Sequence, residues 1–325
     1  MKGIHVDGLT KHFRAKQKAP GLLGSVKSFV KPQYNHVKAV DNISFSIKEG
    51  ELVALIGPNG AGKSTTLKML TGILHSDKGT LRVNGLNPAK ERKKLAFQVG
   101  TVFGQKPQLW YHLPAIDTFD LFSRIYELDQ KEYHKRLKEL VSYFQLEEFL
   151  HTSVRKLSLG QRMRAEIVAS LLHKPRILFL DEPSIGLDIT TKKRIRSFIK
   201  DINKKEKLSI ILTSHDMQDI DKICKRIFII NHGKIVYEGS IKDMRQNYLN
   251  RKIISVLCDH AVSSVKLKHT RILKKAKFSF KLELDTSKRT IKSLLQDLTE
   301  KFSIIDLNIA NPPIEDIIED IYGTN

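Results

Sequence analysis

The chain has 325 residues, 41% hydrophobic and 28% charged, with a formal net charge of +21 and two cysteines. That composition is globular and provides ample core for one large domain or two. It excludes a cysteine-stapled framework, and no apolar run is long enough to span a bilayer. Cys224 and Cys258 lie far apart without metal-ligand spacing and suit a reducing cytosol. The positive charge is scattered through every segment, with no basic run interleaved with aromatics, so nucleic acid is not the expected partner. An anionic membrane surface is favoured, ahead of a merely solubilising background.

At the start, no apolar run follows the charge of Met1-Lys2-Gly3, so no secretory leader is expected. Residues 4–9 read as a short strand leading to Phe13. A basic insertion follows at about 15–32, bounded by Pro20-Gly21 and Pro32. Within it Leu22, Val26, Phe29 and Val30 share one helical face. Two readings fit: an amphipathic helix at a membrane interface or membrane subunit, or a surface helix packed on its own domain. Next come a strand at Ile43–Ile47 and an apolar run, Leu52-Val53-Ala54-Leu55-Ile56, that reads as a buried strand.

That buried strand delivers Gly57-Pro58-Asn59-Gly60-Ala61-Gly62-Lys63-Ser64, with Thr65 behind it, and a helix follows from Ser64 to Leu70. The run fits the phosphate-cradle pattern G-x-x-x-x-G-K-[ST] in its required strand–loop–helix setting. Gly60 and Gly62 let backbone N–H groups turn inward around a polyphosphate, because no Cβ blocks the approach. The positive end of the new helix points at the same anion. Lys63 supplies charge for the β- and γ-phosphates, and the Ser64 hydroxyl is a ligand for Mg²⁺.

Thr80–Val83 is a third short strand, closed by the turn Asn84-Gly85, and Val99–Phe103 is another buried strand, ending near Gln105. Residues 117–128 and 131–144 read as helices of a helical subdomain. The run Ile177-Leu178-Phe179-Leu180-Asp181-Glu182 then reads as a buried strand that carries two acids to its carboxyl end, the edge where parallel sheets hold ligands. Asp181 is expected to hold Mg²⁺ through its water shell, and Glu182 to orient or deprotonate the water attacking a γ-phosphate. A strand at Ile210–Thr213 ends in Ser214-His215-Asp216, placing His215 within reach of that phosphate.

The run Leu157-Ser158-Leu159-Gly160-Gln161 opens a helix about twenty residues before the acid pair. With the phosphate loop, Gln105, Ser184-Ile185-Gly186-Leu187-Asp188 and His215, it resembles the nucleotide-binding subunit of ATP-binding-cassette (ABC) transporters. The likeness covers about residues 1–245, with the motifs in family order and spacing. It implies an α/β P-loop cassette: a RecA-like core, an antiparallel β subdomain and an α-helical subdomain. It also implies an ATPase using ATP and Mg²⁺, paired head to tail with a second nucleotide-binding subunit as a homodimer. Ser158, Gly160 and Gln161 of one copy would then close on ATP held by the other. Asp188 would lie at the dimer interface. Gln105 would contact Mg²⁺ and the attacking water. A separate transmembrane permease subunit would move the solute, placing the chain peripherally on the cytoplasmic face of a bacterial membrane. The subfamily it most resembles is the bacterial ABC-2-type exporters.

The aromatic segment Lys106-Pro107-Gln108-Leu109-Trp110-Tyr111-His112-Leu113-Pro114 is the candidate grip for that permease, with local packing as the alternative. Two departures from the family pattern stand out. Leu159 replaces the common glycine, though Ser158 and Gly160 keep the contacting chemistry. The adenine-stacking aromatic is Phe13 by its place after the first strand, or Tyr34 by its distance from the loop. A soluble cassette ATPase acting on nucleic acid or ribosomes is the second class, but such proteins usually carry two cassettes or a long coiled-coil interruption.

Residues 250–325 read as a small accessory α+β domain, serving regulation or dimer contact, or else as a packing appendage. In it Phe278, Phe280, Leu282 and Leu284 alternate as one strand face. Ser287 is the expected cap of a helix bearing Ile291, Leu294, Leu295, Leu298 and Phe302. A strand at Ser303–Ile309 and a last helix bearing Ile314, Ile317, Ile318 and Ile321 complete it.

Overall fold

The structure, a computed structural model, describes residues 2–16, 34–104, 107–214, 217–247 and 250–323. Gln105, His215 and the amphipathic stretch with Leu22, Val26, Phe29 and Val30 lie outside the described residues. The chain divides into two units, Met1–Glu238 and Gly239–Asn325.

In the first unit, β1 (Ile4–Lys16) lies between β2 (Tyr34–Ile47) and β4 (Lys78–Val83) in an antiparallel sheet. Ile4 is opposite Ile47 on one side and Val83 on the other. The first strand therefore runs well past residue 9 and takes in the start of the expected insertion, since Lys16 still pairs with Tyr34. Two paired strands satisfy each other's backbone whether or not their side chains are apolar, so the polar sequence after Leu9 gave no sign of the extension.

The second sheet has the order β5 (Val99–Phe103), β6 (Ile177–Asp181), β7 (Ser209–Ser214), β3 (Leu52–Ile56), β8 (Arg226–Asn231), β9 (Lys234–Ser240). The pairs from β5 through β8 are parallel, with Phe103 beside Asp181, Asp181 beside Thr213 and Ile56 beside Ser214. These strands are buried on both faces, which explains their continuous apolar sequences. Their carboxyl ends thus share one edge. A single core joins the two sheets: Ile4, Val6, Ile43 and Ile47 pack with Val53, Leu55, Leu67 and Phe179, and the rings of Phe45 and Phe228 meet at 5.0 Å. Clamped in that core is α1 (Lys63–Leu70), with Leu67 and Leu70 buried.

Three helices, α3 (Ala115–Ile125), α4 (Gln130–Phe144) and α5 (Leu159–Leu171), follow β5, which itself follows the short α2 (Arg92–Ala96). Asp129 caps α4 by accepting from Glu132 N at 3.0 Å. Arg136 of α4 makes a paired bond to Glu206, at 2.6 and 2.9 Å, on α6 (Ile189–Glu206). A short helix, α7 (Met217–Ile223), precedes β8. No helix among the described residues is long and apolar enough to cross a membrane.

The second unit opens with α8 (Ile241–Asn247) and builds an antiparallel sheet in the order β11 (Thr270–Lys275), β12 (Ser279–Asp285), β10 (Arg251–Cys258), β13 (Ile304–Ala310). Leu294 and Leu298 of α9 (Ile291–Lys301) pack on Ile254, Val256, Phe280, Leu282 and Leu284. In α10 (Ile314–Gly323) Ile317 and Ile318 are buried. Two expectations change. Phe278 is exposed, because β12 begins one residue after it. The cap of α9 is Thr290, which accepts from Ser293 N, not Ser287. Ser287 is spent one turn earlier, where its N–H and hydroxyl both donate to Asp285 Oδ1.

Candidate functional site

The loop leaving β3 is shaped by contacts that only glycine permits. A Cβ on Gly57 would stand 2.3 Å from Ile230 O, and one on Gly62 2.3 Å from Ala39 O. Gly60 and Gly62 also have φ of +80° and +111°, in the left-handed region. The loop is pinned on both sides, by Ala61 N donating to Pro58 O and Gly233 N donating to Ala61 O. Gly62 ends as the N-cap of α1, with no side-chain cap, so the first N–H groups of that helix remain available to an anion.

Lys63 is only 5% exposed, and its ammonium donates to Gly57 O at 2.7 Å and Pro58 O at 3.2 Å. Burial pushes its pKa down, against the opposing pull of Glu182 and then Asp181. Its Nζ stands 4.0 Å from Glu182 Oε1. The ammonium is thus desolvated and held by neutral carbonyls, a state that a polyphosphate would relieve.

The two acids arrive from β6. Asp181 Oδ1 accepts from Ser64 Oγ at 3.1 Å and from Thr213 Oγ1 at 2.6 Å. The same Thr213 hydroxyl accepts from Glu182 N at 3.0 Å. Glu182 sits at φ +53°, a conformation a non-glycine residue adopts at a cost of about 1 kcal/mol or more, which surrounding structure must hold in place. Gly104 N bonds Asp181 O at 3.0 Å, tying the end of β5 to the acids. Asp181, Glu182 and Gly104 line one cleft of about 430 Å³ together with residues 59–65, Lys68, Ile73, Phe103 and Ile185. Thr65 is among the lining residues. Thr213 was missed in the sequence; its place at the carboxyl end of a buried strand, level with Asp181, is the signal that would have found it.

Ser158, Gly160, Gln161 and Asp188 do not line this cleft. Ser158 caps α5, accepting from Gln161 N at 3.2 Å, while Gln161 Oε1 accepts from Ser158 N at 2.8 Å. That reciprocal pair gives Gln161 a structural task. Asp188 caps α6 in the same manner, accepting from Thr191 N and Thr191 Oγ1, and these bonds hold its carboxyl below the usual range. The two helix starts touch: a Cβ on Gly160 would lie 2.6 Å from Thr191 Cγ2, and Leu159 Cδ2 lies 3.0 Å from where Gly186 would carry one. Leu159 therefore packs over the glycine of the 184–188 run.

Phe13 and Tyr34 are both exposed, at 39% and 52%, and neither lines the cleft. Phe13 pairs with Val37, two residues from the Ala39 carbonyl against which Gly62 packs. Tyr34 is five residues from Ala39 along the same strand. At about 3.3 Å per residue, Phe13 is closer to the loop by roughly 10 Å. In the loop after β5, Trp110, Tyr111 and Leu113 are exposed and Leu109 is buried.

The ABC transporter family pattern matches residues 40–185. The ABC transporter ATP-binding protein NatA of Bacillus subtilis is 32% identical over 65% of this chain and 85% of its own length. The linearmycin resistance ATP-binding protein LnrL of the same bacterium is 30% identical over 90% of this chain and 96% of its own. Among solved structures, a bacterial ABC transporter cassette determined as a dimer is 25% identical, covers 73% of this chain and 98% of its own, and superposes with a TM-score of 0.60.

Proposed function

The chain belongs to the family of ABC transporter ATP-binding proteins, and from that premise we infer how its own residues bind and hydrolyse ATP. It is an ATPase subunit of a transporter. The observation that carries the residue roles is the convergence of Lys63 and Ser64, from the glycine loop, with Asp181 and Glu182, from β6, in one cleft.

The backbone N–H groups of Gly60 through Thr65 would cradle the phosphates, and Lys63 would exchange its carbonyl partners for phosphate oxygens. Ser64 Oγ and Asp181 Oδ1 are the kind and number of oxygen donors Mg²⁺ takes while keeping most of its water, and they would hold it. The ion would supply charge to neutralise the β- and γ-phosphate oxygens. Glu182, fixed through its N–H by Thr213, would orient the attacking water and accept its proton. Gln105 and His215 would complete the γ-phosphate surroundings. Phe13, nearer the loop than Tyr34, would stack on adenine. Phe13→Ala is expected to weaken ATP binding by about tenfold, the loss of one stacking contact, and Tyr34→Ala to leave it within about twofold. Equilibrium dialysis with labelled ATP checks both, and the reverse ranking would move the role to Tyr34.

Ser158, Gly160, Gln161 and Asp188 lie outside this cleft, which supports a head-to-tail homodimer in which each copy closes the site of the other. A permease subunit would receive the exposed Trp110, Tyr111 and Leu113. Likeness to a resistance protein supports export and a peripheral place on the cytoplasmic face of a bacterial membrane. The net charge of +21 suits contact with anionic lipid there. Neither curated relative named above is a nucleic-acid ATPase, and no observation favours that class.

Glu182→Gln is the direct test. It keeps the shape of the side chain but removes the proton acceptor, so ATP turnover should fall by about 10²-fold or more with ATP binding retained. Turnover within a few-fold of the parent would remove Glu182 from the role given to it.

A further inference from the structure

We propose that Glu166 is a positioning residue that ties the loop after β5 to the helix beginning at Ser158, so that nucleotide state and the exposed face of that loop move together. The inference rests on the ATPase reading above. Glu166 lies roughly two turns into α5 and is 4% exposed. Its Oε2 accepts from Gln108 N at 3.2 Å and its Oε1 from Leu109 N at 3.4 Å. Gln108 answers with its amide, which donates to Glu166 O at 3.4 Å and to Thr101 O of β5 at 2.9 Å.

A carboxylate is a costly choice for such a place. Burial pushes its pKa up, and the bonds from Gln108 and Leu109, with the nearby charge of Arg162, only pull against that. A helix that merely had to pack would carry an apolar residue here. What the carboxylate alone does is accept from two consecutive backbone N–H groups at once.

The same loop is bound a second time, to the chain that leads into Ser158. Arg155 N donates to Tyr111 O at 2.9 Å, Val154 N to Leu113 O at 3.0 Å, and Ser153 Oγ to His112 O at 3.0 Å. Residues 108–113 are therefore gripped at both ends by the elements that set the position of Ser158. On the near side, the end of β5 lines the ATP cleft through Phe103 and Gly104. On the far side, Trp110, Tyr111 and Leu113 face solvent. Packed, bonded elements shift as bodies, so a displacement at either face is passed to the other.

Trp110 is the only tryptophan of the chain and stands within this loop, 47% exposed. Its fluorescence and its quenching by acrylamide report on the loop directly. The experiment uses the full chain carrying Glu182→Gln, with MgATP, and measures ATP binding separately by equilibrium dialysis. In that parent, ATP should change the quenching of Trp110. Glu166→Gln offers one acceptor oxygen and turns an NH₂ towards the other N–H, so it should shrink that change at least about threefold. Its ATP dissociation constant should stay within about twofold of the parent. Thr118→Val removes the hydroxyl that accepts from Trp110 N at 3.2 Å but leaves the carboxylate in place, and should keep the response. Where Glu166→Gln does not fold, Glu166→Asp is read in the same way, because it keeps the charge and withdraws it by one methylene.

A parent that binds ATP with Trp110 unresponsive would overturn the inference. So would an undiminished response in the Glu166 variant, or an equal loss in Thr118→Val. A parent that binds no ATP would overturn the ATPase reading and the inference with it.

Discussion

His173 lies flat on Tyr126, ring centroids 4.0 Å apart and 5° from parallel, with Nε2 bonded to Val99 O at 3.1 Å. Its Nδ1 is buried without a hydrogen-bond partner among the described residues, so a second proton there would be both desolvated and unpaired. Burial accordingly pushes its pKa down, to about 4. The sign of the consequence follows from linkage. Between about pH 4 and the ordinary value near 6.5 the unfolded chain binds more protons on this residue than the folded one, so stability falls as pH falls through that window and is intact above it. Replacing the ring by one that cannot be protonated should remove this sensitivity. From pH 7 to pH 4, the native chain should lose about 2–3 kcal/mol more than His173→Phe, read from urea midpoints. Parallel losses in the two proteins would mean that the ring charges without cost. Neither His173 nor Glu166 was legible in the sequence. A lone histidine after a leucine pair, and a glutamate inside a helix, both read as ordinary surface until the packing places them inside.

Between elements, α4 is fastened to α6 by the pair Arg136–Glu206, and Arg136 also reaches Leu171 O at 3.4 Å at the end of α5. The Arg136 side chain is 9% exposed and that of Glu206 28%. The two partners should therefore not be equivalent. Glu206→Gln strands a buried guanidinium and should cost about 2–3 kcal/mol, whereas Arg136→Met leaves a carboxylate that water can still reach and should cost about 1 kcal/mol. Chemical unfolding of the two variants checks the order, and a larger loss in Arg136→Met would reverse the assignment of which charge needs the other. The elements themselves were unevenly visible in the sequence. The strands bearing the glycine loop and the acid pair declare themselves as apolar runs because both faces are covered. The run Arg226–Asn231 has the same character and the same burial, yet no motif drew attention to it. The far ends of β1 and β2 hide for the opposite reason: backbone pairing holds them, and their side chains contribute little to a core. The cap of α9 was misplaced because Ser287 and Thr290 offer the same chemistry, and only the Asp285 turn decides between them.

For the whole molecule, the expectation is a nucleotide-dependent change of assembly. With MgATP, the Glu182→Gln chain should sediment at twice the mass it shows without nucleotide, and Ser158→Glu in that background should abolish the shift by putting a negative charge where a phosphate must approach. A monomer at saturating ATP would leave the exposed starts of α5 and α6 without the role proposed for them. The order of the large sheet has a further consequence. The strand carrying the lysine and the strand carrying the acids never bond to each other; β7 runs between them. The backbones that deliver the lysine loop and the acids are thus two interstrand spacings apart, about 9–10 Å, a gauge fixed by the repeat of the peptide backbone and bridged on the acid side by the Thr213 hydroxyl bonded to Asp181. Such a gauge is indifferent to the composition of the strands that set it, so the chain is free to drift in sequence while the jaws that meet a triphosphate keep their width.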